Sequence, residues 1–268
     1  MEVQNTLVVK LGGGAGLDLS AAVNDLATIA RERPLIIVHG VSERMAQLCD
    51  ERGIPVEMLT SPTGHSSRYT PPAVRDVFVE AAGQINTEIV DGLREQGISA
   101  TGLTDVPVIH GERKDAIRSV VHGRMRVVRD DYTGSITTVS NQPILDVLAQ
   151  AEVAVIPPLA WSDDGLLNID GDRAAAAVAG AVSAAELVIL SNVRGLYRNF
   201  GDENSFVRGV SGSQLEQAMG WAQGRMKRKI LSAQEALNNG LSRVVIGDGR
   251  VATPVSLALN GEGTVFSA

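Results

Sequence analysis

Cysteine is almost missing from this chain. Cys49 is the single one in 268 residues, so no intramolecular disulfide can form. Histidine is scarce as well: four are scattered along the sequence, and none stands in the spacing of a zinc site. Aromatic residues make up 3%, which weighs against a surface built on stacking with single-stranded bases. Basic residues are outnumbered, 24 Lys and Arg against 31 Asp and Glu, and the net charge of −7 argues against a general nucleic-acid binder. No apolar run reaches the roughly 18 residues that span a bilayer. The opening MEVQNTLVVKLGGG turns glycine-rich too soon for a secretory leader. These absences lead us to expect a cytoplasmic enzyme with no membrane and no nucleic-acid partner.

What is present is an alternation of apolar strands and helical patterns from end to end. Leu7-Val8-Val9 reads as a strand ending in Lys10 and Gly12-Gly13-Gly14, after which Ser20 is placed to cap a helix over 21–32. A strand over 35–38 runs into His39-Gly40 and a helix over 42–52. Pro71-Pro72 opens a helix that reaches residue 96, since proline suits a first helical turn. Strands are predicted over 99–103, 152–156, 186–190 and 243–246. Helices are predicted over 173–182 and 225–238, the latter stopped by Asn239-Gly240. Continuous apolar strands alternating with helices predict an α/β fold with a mainly parallel central sheet covered on both faces. Two stretches read instead as β-hairpins: 107–128, turning at His122-Gly123, and 161–169, turning at Asp163-Asp164-Gly165. Pro157-Pro158 is the best candidate for a boundary, dividing one domain (1–268) into lobes 1–157 and 158–268.

Four motifs carry chemistry. In Val9-Lys10-Leu11-Gly12-Gly13-Gly14 a glycine turn at a strand end can offer backbone N–H groups to a phosphate. Its lysine precedes the glycines, which excludes a Walker A loop, and the glycine spacing is not GxGxxG. A tight turn with a snorkelling lysine would read the same way. His39-Gly40-Val41-Ser42 repeats the arrangement at the next strand, as an ordinary strand-to-helix turn also would. In Asn168-Ile169-Asp170-Gly171-Asp172 alternate polar residues share one strand face and meet a helix start. Capping accounts for an aspartate there but not for Asn168. Finally, Arg225, Lys227, Arg228 and Lys229 crowd the start of a helix, against its dipole, which asks for an anionic ligand. Ser191-Asn192-Val193-Arg194-Gly195-Leu196 is either a nucleotide-lining loop or a plain turn, and Cys49 falls on an apolar helix side and reads as core.

Taken together, VKLGG, IVHG, Ser67-Arg68-Tyr69-Thr70, NIDGD, SNVRGL and GRMKRK resemble the amino acid kinase family over essentially the whole chain. They resemble its acetylglutamate kinase branch closely. The Asp131-Tyr132-Thr133-Gly134 stretch, the GRMKRK helix start and Gly249-Arg250 are most similar to members acting on amino acids held by a small acidic carrier protein. The resemblance implies an open α/β/α sandwich, a homodimer, ATP with Mg²⁺ held mostly by the nucleotide, and transfer of phosphate to the side-chain carboxylate of carrier-linked 2-aminoadipate or glutamate. Carried over, Lys10 and Lys229 flank the transferring phosphoryl group and Asp172 holds both ammonium groups. Gly12 and Gly13 donate to phosphate. Gly40, Val41, Ser42, Arg68 and Asn168 bind the substrate. Asn192-Val193-Arg194-Gly195-Leu196-Tyr197 and Trp221-Ala222-Gln223 line the nucleotide pocket. Where the family has a second glycine, this chain has Val41, whose branched side chain restricts the backbone and is expected to crowd a ligand.

Two rival readings stand beside this one: an acetylglutamate kinase acting on the free small molecule, and a catalytically dead binding module on the same fold. One further patch bears on the partner. Within 112–129, Arg113, Lys114, Arg118, Arg124, Arg126 and Arg129 face Glu112 and Asp115. On alternating strands Arg124 and Arg126 share a face. The patch is either a solvated hairpin surface or the dock for an acidic carrier.

Overall fold

The computed structural model describes residues 5–61, 66–121 and 124–268. Its elements begin β1 (Leu7–Leu11), α1 (Leu19–Ala30), β2 (Leu35–His39), α2 (Ser42–Glu51), β3 (Met58–Thr60), β4 (Ser66–Arg68), α3 (Pro72–Glu95) and β5 (Ala100–Gly102). They continue with β6 (Ile109–Arg113), β7 (Ile117–Val121), β8 (Arg124–Val128), β9 (Gly134–Val139), α4 (Gln142–Ala149), β10 (Val153–Ile156), β11 (Leu159–Ser162) and β12 (Gly165–Asn168). The remainder is α5 (Gly171–Ala181), β13 (Glu186–Ser191), β14 (Gly209–Ser211), α6 (Leu215–Trp221), α7 (Arg225–Asn238), β15 (Arg243–Asp248), α8 (Pro254–Leu259) and β16 (Thr264–Ser267).

Eight strands form one sheet in the order β14-β16-β15-β13-β1-β2-β10-β5. Every neighbouring pair is parallel except β15 with β16. The strands are apolar on both faces because both are covered. Val8, Ile36, Val38, Ala154, Ile156, Leu187 and Ile189 pack with α4, α5 and α7. Their alternates Leu7, Val9, Leu35, Ile37, Val155, Val188 and Leu190 pack with α1, α3 and α8. That alternation is the sandwich expected from the sequence. β1 is central, and the chain runs from it to β2 on one side and later fills β13 on the other. Crevices at the carboxyl ends of strands flanking such a reversal are where ligands of open α/β sheets bind.

The second, four-stranded sheet (β12-β11-β6-β9) is where the expected hairpins are refined. β11 and β12 form the tight antiparallel hairpin, with Gly165 at φ +95°. The other region is not a single hairpin. β6 pairs with β9, and the β7–β8 hairpin is inserted between them; its expected turn at His122-Gly123 lies outside the described residues. The cap of α1 is also corrected. Asp18, not Ser20, accepts from the N–H of Ala21 at 2.9 Å. The lobes are not separated by the sheets, since β11, beyond Pro158, pairs with β6. Helices α4, α6 and α8, at six to eight residues, escaped the reading because so short a segment shows too few turns of periodicity.

α8 is held by a residue far away in sequence. Buried Asp25, on α1, accepts from Val255 N–H (2.7 Å), Ser256 N–H (2.9 Å) and the Ser256 hydroxyl. It thereby caps α8 from the neighbouring helix. Asp25→Ala is expected to cost about 1–3 kcal/mol of stability, the penalty for buried donors left unmet. Urea unfolding of the two proteins checks this, and an unchanged midpoint would remove Asp25 from that role.

Candidate active site

Strand alternation fixes where Lys10 points. It follows Val8 on the face covered by α5 and α7, and it sits at the carboxyl end of β1 between Val38 and Ile189. Asp172 opens α5, and Lys229 lies in the first turns of α7. Lys10 Nζ stands 2.9 Å from Asp172 Oδ1, and Lys229 Nζ donates to Oδ2 at 2.9 Å. The Lys229 contact has hydrogen-bond geometry, whereas Oδ1 meets Lys10 by charge at equal distance without the angles of a bond. All three residues are 7% exposed. Burial alone raises the Asp172 carboxyl, but Lys10 and Lys229 offset it and hold the group well below the usual carboxylate range. For Lys229, burial and then the neighbouring cation Lys10 outweigh the pull of Asp172 and lower its affinity for a proton.

Asp170, not Asp172, caps α5: its Oδ1 accepts from the N–H groups of Asp172 and Arg173 at 3.0 and 3.1 Å. That leaves the Asp172 side chain to the lysines. Gly171 between them is close to Lys10, a Cβ there standing 3.3 Å from Lys10 Cε.

The two glycine loops touch backbone to backbone. Gly40 N–H donates to Leu11 O (2.8 Å), and Glu43 N–H donates to Gly13 O (2.7 Å). A Cβ on Gly13 would stand 2.2 Å from Val41 N, and one on Gly40 2.5 Å from Gly13 N, so neither position has room for a side chain. The turn accommodates Val41 without backbone strain. Its φ is −135°, open to any residue, and its side chain is buried with Met45, Cys49, Val74 and Phe78. Ser42 begins α2 beside it. His39 is buried beneath the loops. Asn86 Nδ2 donates both to its Nε2 (3.2 Å) and to Val155 O (3.0 Å), which puts the ring proton on Nδ1. Burial lowers His39 to about 3, the Gly40 backbone opposing and Lys10 adding to the shift. It is a neutral strut, not a base.

Arg68 and Asn168 are linked to each other through Thr70. Arg68 ends β4, its guanidinium against Met45 Sδ; burial lowers its affinity for a proton, Cys49 opposes, and Arg225 adds to the lowering. Asn168 ends β12 and donates to Thr70 Oγ1 at 3.1 Å. Arg228, from α7, reaches Ser66 O in β4 and stands 3.6 Å from Asp170. Arg225 comes near Gly14, where a Cβ would meet its Nη1 at 3.9 Å. The α7 start, whose cap Gly224 has φ +51°, thus brings Arg225 near the first glycine loop.

The third group is farther apart. Asn192 is exposed and Val193 and Arg194 half-buried after β13; Arg194 pairs with Glu262 at 3.1 Å and lies over Phe206. Gly195, Leu196 and Tyr197 instead pack inward. Leu196 N–H donates to Thr264 Oγ1 at 2.8 Å, and Tyr197 is edge-on to Phe206. Ala222 is buried and Gln223 exposed. Trp221 carries Arg198 over its ring at 5.3 Å, which joins the two stretches. Sequence reading missed Thr70, Asn86 and Arg228. Only proximity in the fold reveals them, although Thr70 and Arg228 lie inside motifs already singled out. Among the described residues no group of three or more His, Cys, Asp or Glu could hold a metal ion. None of the described helices is long and apolar enough to cross a membrane.

A different kind of surface lies on β7–β8. Arg126 pairs with Ser119, whose hydroxyl is buried against Thr60 of β3. The opposite, outward face carries Val120, Met125 and Val127, the last two at least half exposed, beside exposed Arg118. Arg126 belongs to the Ser119 face, where it stays exposed, and the side chain of Arg124 lies outside the described residues. The register keeps strand positions 124 and 126 on one face, as expected, and the other face has an apolar centre beside Arg118.

The amino acid kinase family model matches residues 5–248. The chain is 40% identical over 273 residues to a protein of Deinococcus radiodurans named LysW-aminoadipate kinase, covering 100% of this chain and 93% of that one. It is 39% identical to the protein of that name from Thermus thermophilus, covering 97% and 99%. Among solved structures, N-acetylglutamate synthase from Neisseria gonorrhoeae has a TM-score of 0.80 at 22% identity. That match covers 99% of this chain and 60% of the synthase and speaks to the fold alone.

Replacing Lys10 or Lys229 by Met is expected to cut kcat by about 10²–10³, the scale of losing one preorganised charge. Steady-state kinetics should find the KM for ATP little changed. A near-normal kcat with only a raised KM for ATP would show that the lysines hold ground-state nucleotide and nothing more.

Proposed function

The chain belongs to the amino acid kinase family, and from that premise we propose that it phosphorylates the side-chain carboxylate of 2-aminoadipate or glutamate held by its amino group on a small acidic carrier protein. The observation that carries the reading is the buried Lys10–Asp172–Lys229 triad between glycine loops and basic helix start. The relatives named LysW-aminoadipate kinase support the substrate class.

The chemistry suits the site. A carboxylate is already ionised near neutral pH, so no general base is required, and neutral His39 supplies none. One carboxylate oxygen attacks the γ-phosphorus of ATP, the bond to the β-phosphate oxygen breaks, and ADP leaves an acyl phosphate. The task left to the protein is to bring two anions together and neutralise the charge that develops. Lys10 and Lys229 flank that charge, Asp172 keeps them a fixed distance apart, and the Gly12 and Gly13 amides donate to phosphate oxygens. Arg68 offers a planar fork to the substrate's α-carboxylate and Asn168 an amide to its linkage, with Gly40, Val41 and Ser42 presenting backbone beside them. Asn192, Val193, Arg194, Trp221 and Gln223 are assigned to the nucleotide, while Gly195, Leu196, Tyr197 and Ala222 shape its pocket from behind. Mg²⁺ is assigned to the nucleotide's own phosphates, where it neutralises charge; both Asp172 oxygens are taken by lysines.

The substrate half is residues 1–157 with the β11–β12 hairpin reaching back into it, and the nucleotide half is the rest of 158–268. The same reading makes the enzyme a cytoplasmic homodimer serving lysine synthesis and, when glutamate is carried, arginine synthesis.

Phosphoryl transfer read by mass spectrometry tests the function. Carrier-linked 2-aminoadipate or glutamate should gain phosphate with ATP, and free N-acetylglutamate should turn over far more slowly. Comparable kcat/KM on the free compound would return the enzyme to the acetylglutamate kinases, and no ATP turnover on any of them would make it a binding module.

The β7–β8 face is assigned to the carrier. An apolar centre supplies contact area, and the charges of Arg118 beside it and of exposed Arg126 on the other face of the same hairpin steer an acidic partner at longer range, an effect that weakens with salt. Arg118→Glu with Arg126→Glu is expected to lower kcat/KM on the carrier-linked substrate by about tenfold or more, the loss falling mainly on association. A salt titration of the parent should reproduce much of that loss. A flat titration with an equally active double variant would leave the hairpin a solvated face.

A further inference from the structure

A second buried carboxylate stands near the site, and the reaction set out above does not use it. Asp131, on the segment between β8 and β9, is 1% exposed. Its oxygens are filled by three donors, none a cation: Thr70 N–H on Oδ2 (3.0 Å), Thr133 N–H on Oδ1 (2.7 Å), and the Thr133 hydroxyl, also on Oδ1. A buried group so committed fixes its donors as firmly as they fix it.

Thr70 is the donor that matters. Its carbonyl accepts Tyr132 N–H at 2.8 Å, so both sides of its backbone are tied to 131–132. Its hydroxyl donates to Arg68 O (3.2 Å) and accepts from Asn168 Nδ2 (3.1 Å). Asn168 is tied to the same segment by its own N–H, which donates to Tyr132 O at 2.9 Å. Arg68 and Asn168 lie far apart in sequence and on different sheets, and Thr70, held by 131–132, bridges them. The segment is stiffened from outside as well. The Tyr69 hydroxyl donates to Asp130 at 2.7 Å, and the Tyr132 ring lies between the guanidinium groups of Arg75 and Arg113, 4.5 and 4.8 Å from its centre.

We propose that Asp131 is a positioning residue of this kinase, acting through Thr70 to set the spacing between the Arg68 fork and the Asn168 amide. The inference rests on the substrate clamp assigned above. A clamp for two ends of one ligand binds well only when its halves stand the right distance apart, so loosening Thr70 weakens substrate binding and leaves the lysines and the nucleotide untouched.

The test is steady-state kinetics of the parent, Asp131→Asn, Thr70→Val and Thr70→Ser on the carrier-linked substrate, with thermal unfolding of each. Asp131→Asn and Thr70→Val should raise the KM for that substrate about tenfold or more, the order of one buried hydrogen bond to a charged group. Both kcat and the KM for ATP should stay within about threefold. Thr70→Ser, which keeps the hydroxyl, should restore the KM. Should Asp131→Asn fail to fold, the Thr70 pair decides. Unchanged substrate KM in folded variants overturns the inference. So does a joint loss in both KM values and melting temperature with Thr70→Ser no better than Thr70→Val, since that pattern marks a role in folding only. A parent inactive on carrier-linked substrate overturns the functional reading, and the inference with it. An active parent with indifferent variants overturns the inference alone.

Discussion

Two ammonium groups held against one buried carboxylate set the terms for the rest of the site. Lys10 and Lys229 come from the ends of different elements, and like charges so placed repel. Asp172 makes the arrangement possible by putting one oxygen toward each. A buried carboxylate costs several kcal/mol on its own, and two cations facing it offset that. The group therefore stays ionised and the lysines stay apart, one at each oxygen. The helix start at Asp172 helps as well, since its dipole favours negative charge there. Asp170 takes over the capping that would otherwise have claimed the side chain.

The glycine loops answer a second constraint. Phosphate is held by backbone only where backbone can come close, and the β1 and β2 loops come so close to each other that a Cβ has no place on Gly13 or Gly40. Val41 is tolerated next to them because the turn needs no positive φ there and because α2 and α3 offer its side chain an apolar place away from the loop. The same packing buries Met45 and Cys49 next to Arg68, so the core beneath α2 also supports the arginine proposed to hold the substrate.

The motifs that sequence reading picked out are local: each is a strand end followed at once by a helix start. Such signals survive in sequence because strand alternation and helix capping act over a few residues. Arg225–Asn238 was read to the residue, since an uncapped basic start and a closing Asn-Gly are both strong marks. The β6–β9 pairing was not legible, because β7–β8 intervenes and an inserted hairpin leaves no trace in periodicity. Nor was the apolar face of that hairpin. Alternation says which residues share a face but not which face is covered, and here β3 covers the one carrying Ser119.

From sequence alone came the class of fold, the family, and the residues proposed to carry the chemistry, because short-range patterning and a handful of charged and glycine positions encode them. Tertiary structure decided how those residues meet. It brought Lys10, Asp172 and Lys229 within 2.9 Å contacts of one carboxylate. It buried the Val41 side chain in the core between α2 and α3, capped α8 with Asp25 from another helix, and joined Arg68 to Asn168 through Thr70 and Asp131. Each of these depends on elements distant in sequence packing to within hydrogen-bond distance. Such contacts follow from how whole strands and helices stack, and no stretch of residues carries that by itself.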